Sequence, residues 1–266
     1  MLFYCKEFFR LKRVVVKVGS HVLSENNRIA KDRLKNLVKF VSELNDKFEV
    51  ILVSSGAVAA GYSKIKLDKS IIANRQAIAA VGQPHLMREY QKLFEKYDKL
   101  TAQFLLTAND LDSRKRTQFA KQAIDVCLRN RVIPIINEND TTATEELVFG
   151  DNDQLSAHVA YYFDADMLVL LSDIDGYYDK DPRCNSDAKV KKVVHEITKD
   201  EMDIKLNPNN FFATGGIATK LKAADFLLER GKSMFLSSGF DLKDIQSFLI
   251  DGIHKGGTLF INKDKI

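Results

Sequence analysis

Val14-Val15-Val16-Lys17-Val18-Gly19-Ser20 decides how the chain folds. A β-branched run without polar alternation reads as a strand buried on both faces, and Gly19-Ser20 turns the chain at its end. The same pattern returns in Val50-Ile51-Leu52-Val53, which breaks into the small-residue turn Ser54-Ser55-Gly56-Ala57. Further strands are expected over 102–106, 132–136, 167–171, 233–236 and 258–261. Between them the spacing turns helical: Leu34, Leu37, Val38 and Val41 share one face over 32–44. Other helices are expected over 71–97, 114–129, 154–163, 218–230 and 242–249, with Gly82-Gln83-Pro84 predicting a break inside the first of these. Residues 141–150 read as a hairpin or loop, and the stretch from Gly176 to Asn210 as polar and turn-rich. Strands alternating with helices predict an α/β fold, a three-layer αβα sandwich around a central, mostly parallel sheet.

The 266 residues are 45% hydrophobic and 29% charged, enough apolar material to bury a core without a disulfide or metal staple. Cys5, Cys127 and Cys184 are widely spaced with no CxxC pair, which fits a reducing, cytoplasmic setting. Forty basic residues against thirty-six acidic ones leave a formal charge of +4. Arg114-Lys115-Arg116 is too short to make a basic face, so no nucleic-acid partner is expected. No apolar run approaches the roughly 18 residues of a membrane span. The opening residues, interrupted by Lys6 and Glu7, lack the features of a signal peptide. Residues 1–12 therefore read as a short extension and 13–266 as one domain.

In parallel sheets, ligands collect beyond the carboxyl ends of the strands. Lys17 with Gly19, Ser54 to Gly56, Asn137 to Asp140, and Ser172-Asp173 each follow an expected strand directly, so one shared cleft is predicted. Thr214-Gly215-Gly216-Ile217-Ala218-Thr219-Lys220 opens a helical segment. Adjacent glycines let a backbone approach a ligand closely, and the helix N-terminus offers unpaired N–H groups to a phosphate. Lys220 adds a charge one turn in, and with Lys17 the pattern suits a site gripping a polyphosphate from both ends. The plainer alternatives are a tight turn at Gly215-Gly216 and a strand-end lysine reaching solvent at Lys17. Neither a Walker A loop nor a G-x-G-x-x-G follows any strand.

Asn137-Glu138-Asn139-Asp140 and Gly150-Asp151-Asn152-Asp153 concentrate acids and amides. Such groups suit a metal, an ammonium group or the holding of lysines, with turn and helix-cap chemistry as the alternative. Tyr177 and Tyr178 are placed either to flank an adenine or simply to pack. His21, His85, His158, His195 and His254 have no metal-ligand spacing, and no metal site in the protein is predicted.

Taken in order from Val14 to Phe260, these segments resemble the amino acid kinase family. The resemblance rests on Lys17-Val18-Gly19-Ser20, Ser54 to Gly61, Ala80-Val81-Gly82-Gln83, Pro134 to Asp140, Gly150 to Ala157 and Gly215 to Lys220. The Asn-Glu-Asn-Asp and Gly-Asp-Asn-Asp pair favours the branch acting on glutamate. That resemblance implies transfer of the γ-phosphoryl group of ATP to the side-chain carboxylate of L-glutamate, the first step towards proline. It implies that Lys17 and Lys220 neutralise charge on the transferring group and that Asp153 positions them. Ser55, Asp140 and Asn152 would bind glutamate, with Asp151 near its amino group. Lys17, Ser172, Asp173 and the run Thr214, Gly215, Gly216, Ile217, Ala218, Thr219 and Lys220 would line the ATP site. Mg²⁺ is expected on the ATP phosphates, proline as a feedback inhibitor, and a homo-oligomer as the assembly. Many bacterial members carry a C-terminal domain resembling RNA-binding PUA modules, and none is expected in this chain. Ile217 stands where methionine is common, a swap of similar size.

Overall fold

The computed structural model describes residues 12–142, 152–198, 201 and 216–265. Its strands are β1 (Arg13–Val18), β2 (Ser24–Glu25), β3 (Arg28–Ile29), β4 (Glu49–Val53), β5 (Leu100–Leu106), β6 (Val132–Glu138), β7 (Met167–Ser172), β8 (Val193–Val194), β9 (Ser233–Ser238) and β10 (Thr258–Phe260). The helices that matter below are α1 (Ser20–Leu23), α2 (Lys31–Asn45), α3 (Ala57–Tyr62), α4 (Ile72–Phe94), α5 (Ala108–Asp112), α6 (Arg114–Arg129), α7 (Asn152–Tyr162), α8 (Ile217–Glu229) and α9 (Lys243–Ile250). An eight-stranded sheet runs in the order β5-β6-β4-β1-β7-β9-β10-β8. β1 pairs in parallel with β4 and β7, and among the described strands of this sheet only the β9–β10 contact is antiparallel. The valine run of β1 thus occupies the middle of the sheet, where both faces are covered.

Alternation along β1 sorts the two cores. Val14, Val16 and Val18 pack with Leu34 and Val41 of α2, Leu86 of α4 and Ile245 of α9. Val15 points the other way, towards Ile124 of α6, Val159 of α7 and Leu221 of α8. Lys17 shares the parity of Val15 and therefore faces α7. The expected sandwich is the one observed, and most element ends fall within one or two residues of expectation. Residues 141–150 largely lie outside the described residues, whereas the short β2–β3 hairpin was not anticipated.

The expected break in the long helix does not occur. α4 runs continuously from Ile72 to Phe94 with Pro84 inside it. Gly82 serves close packing instead: a Cβ there would lie 1.8 Å from the Ala57 carbonyl oxygen, and one at Gly61 would lie 1.8 Å from that of Ile78. α3 and α4 cross backbone to backbone at this glycine pair. Tertiary packing of this kind outweighs the local cost of a helical proline.

Candidate active site

Three charged side chains meet at the carboxyl end of β1, almost wholly out of solvent. Lys17 is 1% exposed, Asp153 0% and Lys220 5%. β1 aims Lys17 at α7, whose second residue is Asp153, and the Lys17 ammonium binds Asp153 Oδ1. The other carboxylate oxygen takes the Lys220 ammonium at 3.1 Å and the Thr219 hydroxyl at 2.9 Å. A buried ion needs such pairing, because removing it from water costs several kcal/mol. Among the described residues the cluster holds two lysines and one acid, a balance suited to an anion rather than to a metal ion.

The start of α8 shapes the cluster's other side. Gly216 caps that helix with φ +76°, a left-handed conformation that glycine adopts readily. Lys220 bends back to donate to the Gly216 carbonyl at 3.0 Å, and the Thr219 hydroxyl oxygen lies 2.9 Å from the same oxygen. The first N–H groups of α8 and the two ammonium groups are thereby gathered at one end of the sheet. Ile217 is buried in the core beneath, and Ala218 is half-buried. Thr214, Gly215 and Asp151 lie outside the described residues.

Asn152 precedes Asp153 on α7 but looks towards β4 and β6. Its amide donates to the Ser54 carbonyl at 2.8 Å, to Ser55 Oγ at 3.0 Å and to Asn137 Oδ1 at 3.0 Å. Asn137 in turn donates to Gln83 Oε1 at 2.8 Å, and the Ser54 and Tyr90 hydroxyls are 2.8 Å apart. Gly56, at φ +104°, makes the turn that presents Ser55. Sequence reading brought Ser55 and Asn152 into the site, but not the supporting side chains Gln83 and Tyr90. Treating Gly82-Gln83-Pro84 as a helix break hid the first, and a lone tyrosine on a helix gives no signal of its own.

Asp140 sits just past β6, half-buried and apart from the lysine cluster in sequence and element. Burial raises its carboxyl pKa above the ordinary range, and the Arg75 charge opposes that rise. A carboxylate destabilised by burial gains most from an arriving cation. Ser172 ends β7 next to β1 and Asp173 follows it, where the Gly19 N–H donates to the Leu171 carbonyl at 3.0 Å. The Ser172 hydroxyl donates to Asp173 Oδ1 at 2.9 Å, and Asp173 faces the exposed ring of His21 at 3.7 Å. Tyr177 is buried, its hydroxyl donating to Glu201 at 2.9 Å, so it packs rather than flanking a base.

The amino acid kinase family model matches residues 12–237. The chain belongs to the amino acid kinase family. A protein of Leishmania donovani named glutamate 5-kinase is 56% identical over 253 residues, covering 95% of this chain and 96% of that one. A family member of the same name from Wolinella succinogenes is 56% identical over 256 residues, covering 94% and 98%. Among solved structures, carbamate kinase from Giardia lamblia bound to AMP-PNP superposes with a TM-score of 0.65 at 14% identity, covering 95% of this chain and 99% of that one. Isopentenyl phosphate kinase of T. acidophilum gives a TM-score of 0.63 at 14% identity, covering 94% and 100%. At such identities the structural likeness speaks for the amino acid kinase fold alone. No helix among the described residues is long and apolar enough to cross a membrane.

Proposed function

We propose that the protein transfers the γ-phosphoryl group of ATP to the side-chain carboxylate of L-glutamate, yielding L-glutamyl 5-phosphate for proline synthesis. The observation that carries this reading is the buried Lys17–Asp153–Lys220 cluster, set beside the Ser55–Asn152–Asn137 network at the same end of the sheet. Identity of 56% to proteins named glutamate 5-kinase supports the choice of acceptor.

The chemistry asks little of a base. A carboxylate is already ionised at neutral pH, so the nucleophile exists before binding. The barrier lies in bringing two anions together in line and in stabilising charge on the transferring group. In this proposal Lys17 and Lys220 supply that positive charge from a dry, preorganised site. Asp153 fixes both ammonium groups. The α8 N-terminus receives ATP phosphates through its backbone N–H groups, with Thr214 to Thr219 lining the nucleotide and Ser172-Asp173 beside it. Mg²⁺ carried by those phosphates would offset part of their charge; both oxygens of Asp153 are engaged by the cluster and are not offered to a metal ion. Ser55 and Asn152 hold the acceptor, and Asp140, with Asp151, pairs with its ammonium group. The family resemblance extends the proposal to a cytoplasmic homo-oligomer inhibited by proline.

The test uses purified protein, MgATP and hydroxylamine, which captures an acyl phosphate as a hydroxamate. L-Glutamate is expected to give hydroxamate, and N-acetyl-L-glutamate and L-aspartate none. ADP release without hydroxamate from any of the three would sink the proposal.

A further inference from the structure

An α-amino acid presents an ammonium group and a carboxylate on one carbon, so its recognition calls for a positive partner as well as a negative one. Asp140 provides only the negative one. Lys17 and Lys220 are committed to Asp153 and lie with the phosphoryl half of the site. A cation is needed near Asp140 from another element.

The first turn of α4 offers it. Gln76 Nε2 donates to the Thr141 carbonyl at 3.4 Å, seating that turn against the chain next to Asp140. A second contact, Asn137 to Gln83 at 2.8 Å, fixes the same helix against the end of β6. Arg75 immediately precedes Gln76 and is exposed, and no ion pair involves it among the described residues. Its backbone is secured by the hydrogen bond from its N–H to the Ile71 carbonyl at 3.0 Å. The guanidinium is near enough for its charge to act on Asp140, yet the two form no direct ion pair. With the Gln76–Thr141 contact setting their segments side by side, an acid and a base not joined to each other suit the two ends of a zwitterion.

We propose that Arg75 determines specificity for the acceptor by pairing with the α-carboxylate of glutamate, while Asp140 pairs with its ammonium group. A guanidinium meets a carboxylate through two parallel N–H bonds, which fixes orientation as well as charge. Held at its α-carbon in this way, glutamate directs its side-chain carboxylate away from Arg75, towards Ser55, Asn152 and the lysines. The inference rests on the glutamate-kinase reading above and adds a residue to it.

Arg75→Ala and Arg75→Lys separate the possibilities, because an exposed first-turn arginine is replaceable without disturbing the core. In Arg75→Ala the KM for L-glutamate is expected to rise about 10- to 100-fold, with kcat and the KM for ATP within about threefold of the parent. Arg75→Lys restores part of the loss, since the charge remains and the fork does not. The deciding arm is 4-aminobutanoate, which is glutamate without the α-carboxylate, followed as a competitor of glutamate. Its inhibition constant is expected to be the same in the parent and in Arg75→Ala. An equal loss for glutamate and 4-aminobutanoate, or an unchanged KM for glutamate, overturns the role of Arg75 and leaves the kinase reading standing. A parent protein that makes no hydroxamate from glutamate overturns both.

Discussion

Asp153 binds two lysines that are anchored differently. Lys17 is carried on a central strand, whereas Lys220 folds back over the turn that opens α8. Lys220 is therefore the one placed at the opening of α8, and in the proposed reaction it meets the transferring phosphoryl group, where charge builds up. Lys220→Ala is expected to lower kcat by about 10²- to 10³-fold while the KM for glutamate changes little. Steady-state kinetics decide this, and a loss confined to the KM for ATP would mean that Lys220 acts in the ground state only. Asp140 makes a prediction in pH. It must be ionised to hold an ammonium group, and burial raises its pKa. The KM for glutamate should thus climb as pH falls through that raised value, with kcat less affected. In Asp140→Asn the KM should be high throughout and the acid limb should disappear.

At the level of elements, much was legible because the local signals agreed with the fold. The valines of β1 and the leucine spacing of α2 each admit one reading, and the structure follows both. Lys17 stood out for the same reason, as a charge in an otherwise apolar strand. α4 was misread where local and tertiary signals conflict, since glycine and proline together argue for a break only until a partner helix is known. No sequence pattern announces that Gly82 abuts Ala57 or that Tyr90 meets Ser54, because each contact joins residues far apart along the chain. Gly82→Ala is expected to cost about 1–3 kcal/mol through overpacking, measured by urea unfolding. The space at that crossing is closed by backbone, which has nowhere to move. Unchanged stability would show that α3 and α4 separate more readily than their contact suggests.

Across the whole molecule, the sheet brings residues from six strands and helices to one end and leaves the phosphoryl and acceptor halves on different partners. The lysine half belongs to β1, α7 and α8; the acceptor half belongs to β4, β6, α4 and α7. Damage should sort the same way. Asn152→Ala removes the amide that bridges Ser54, Ser55 and Asn137 on the acceptor side and is expected to raise the KM for glutamate about tenfold or more, leaving the KM for ATP nearly unchanged. A parallel rise in both constants would mean that α7 transmits the change across the site. Among the described residues, α7 alone contributes to both proposed halves, and it does so with adjacent residues whose side chains diverge. A helix turns by about 100° per residue, so one step along it passes from acceptor to phosphate. Such an arrangement allows descendants of one ancestor to exchange the molecule they modify by altering Asn152 and its neighbours, while the apparatus that handles ATP is inherited untouched.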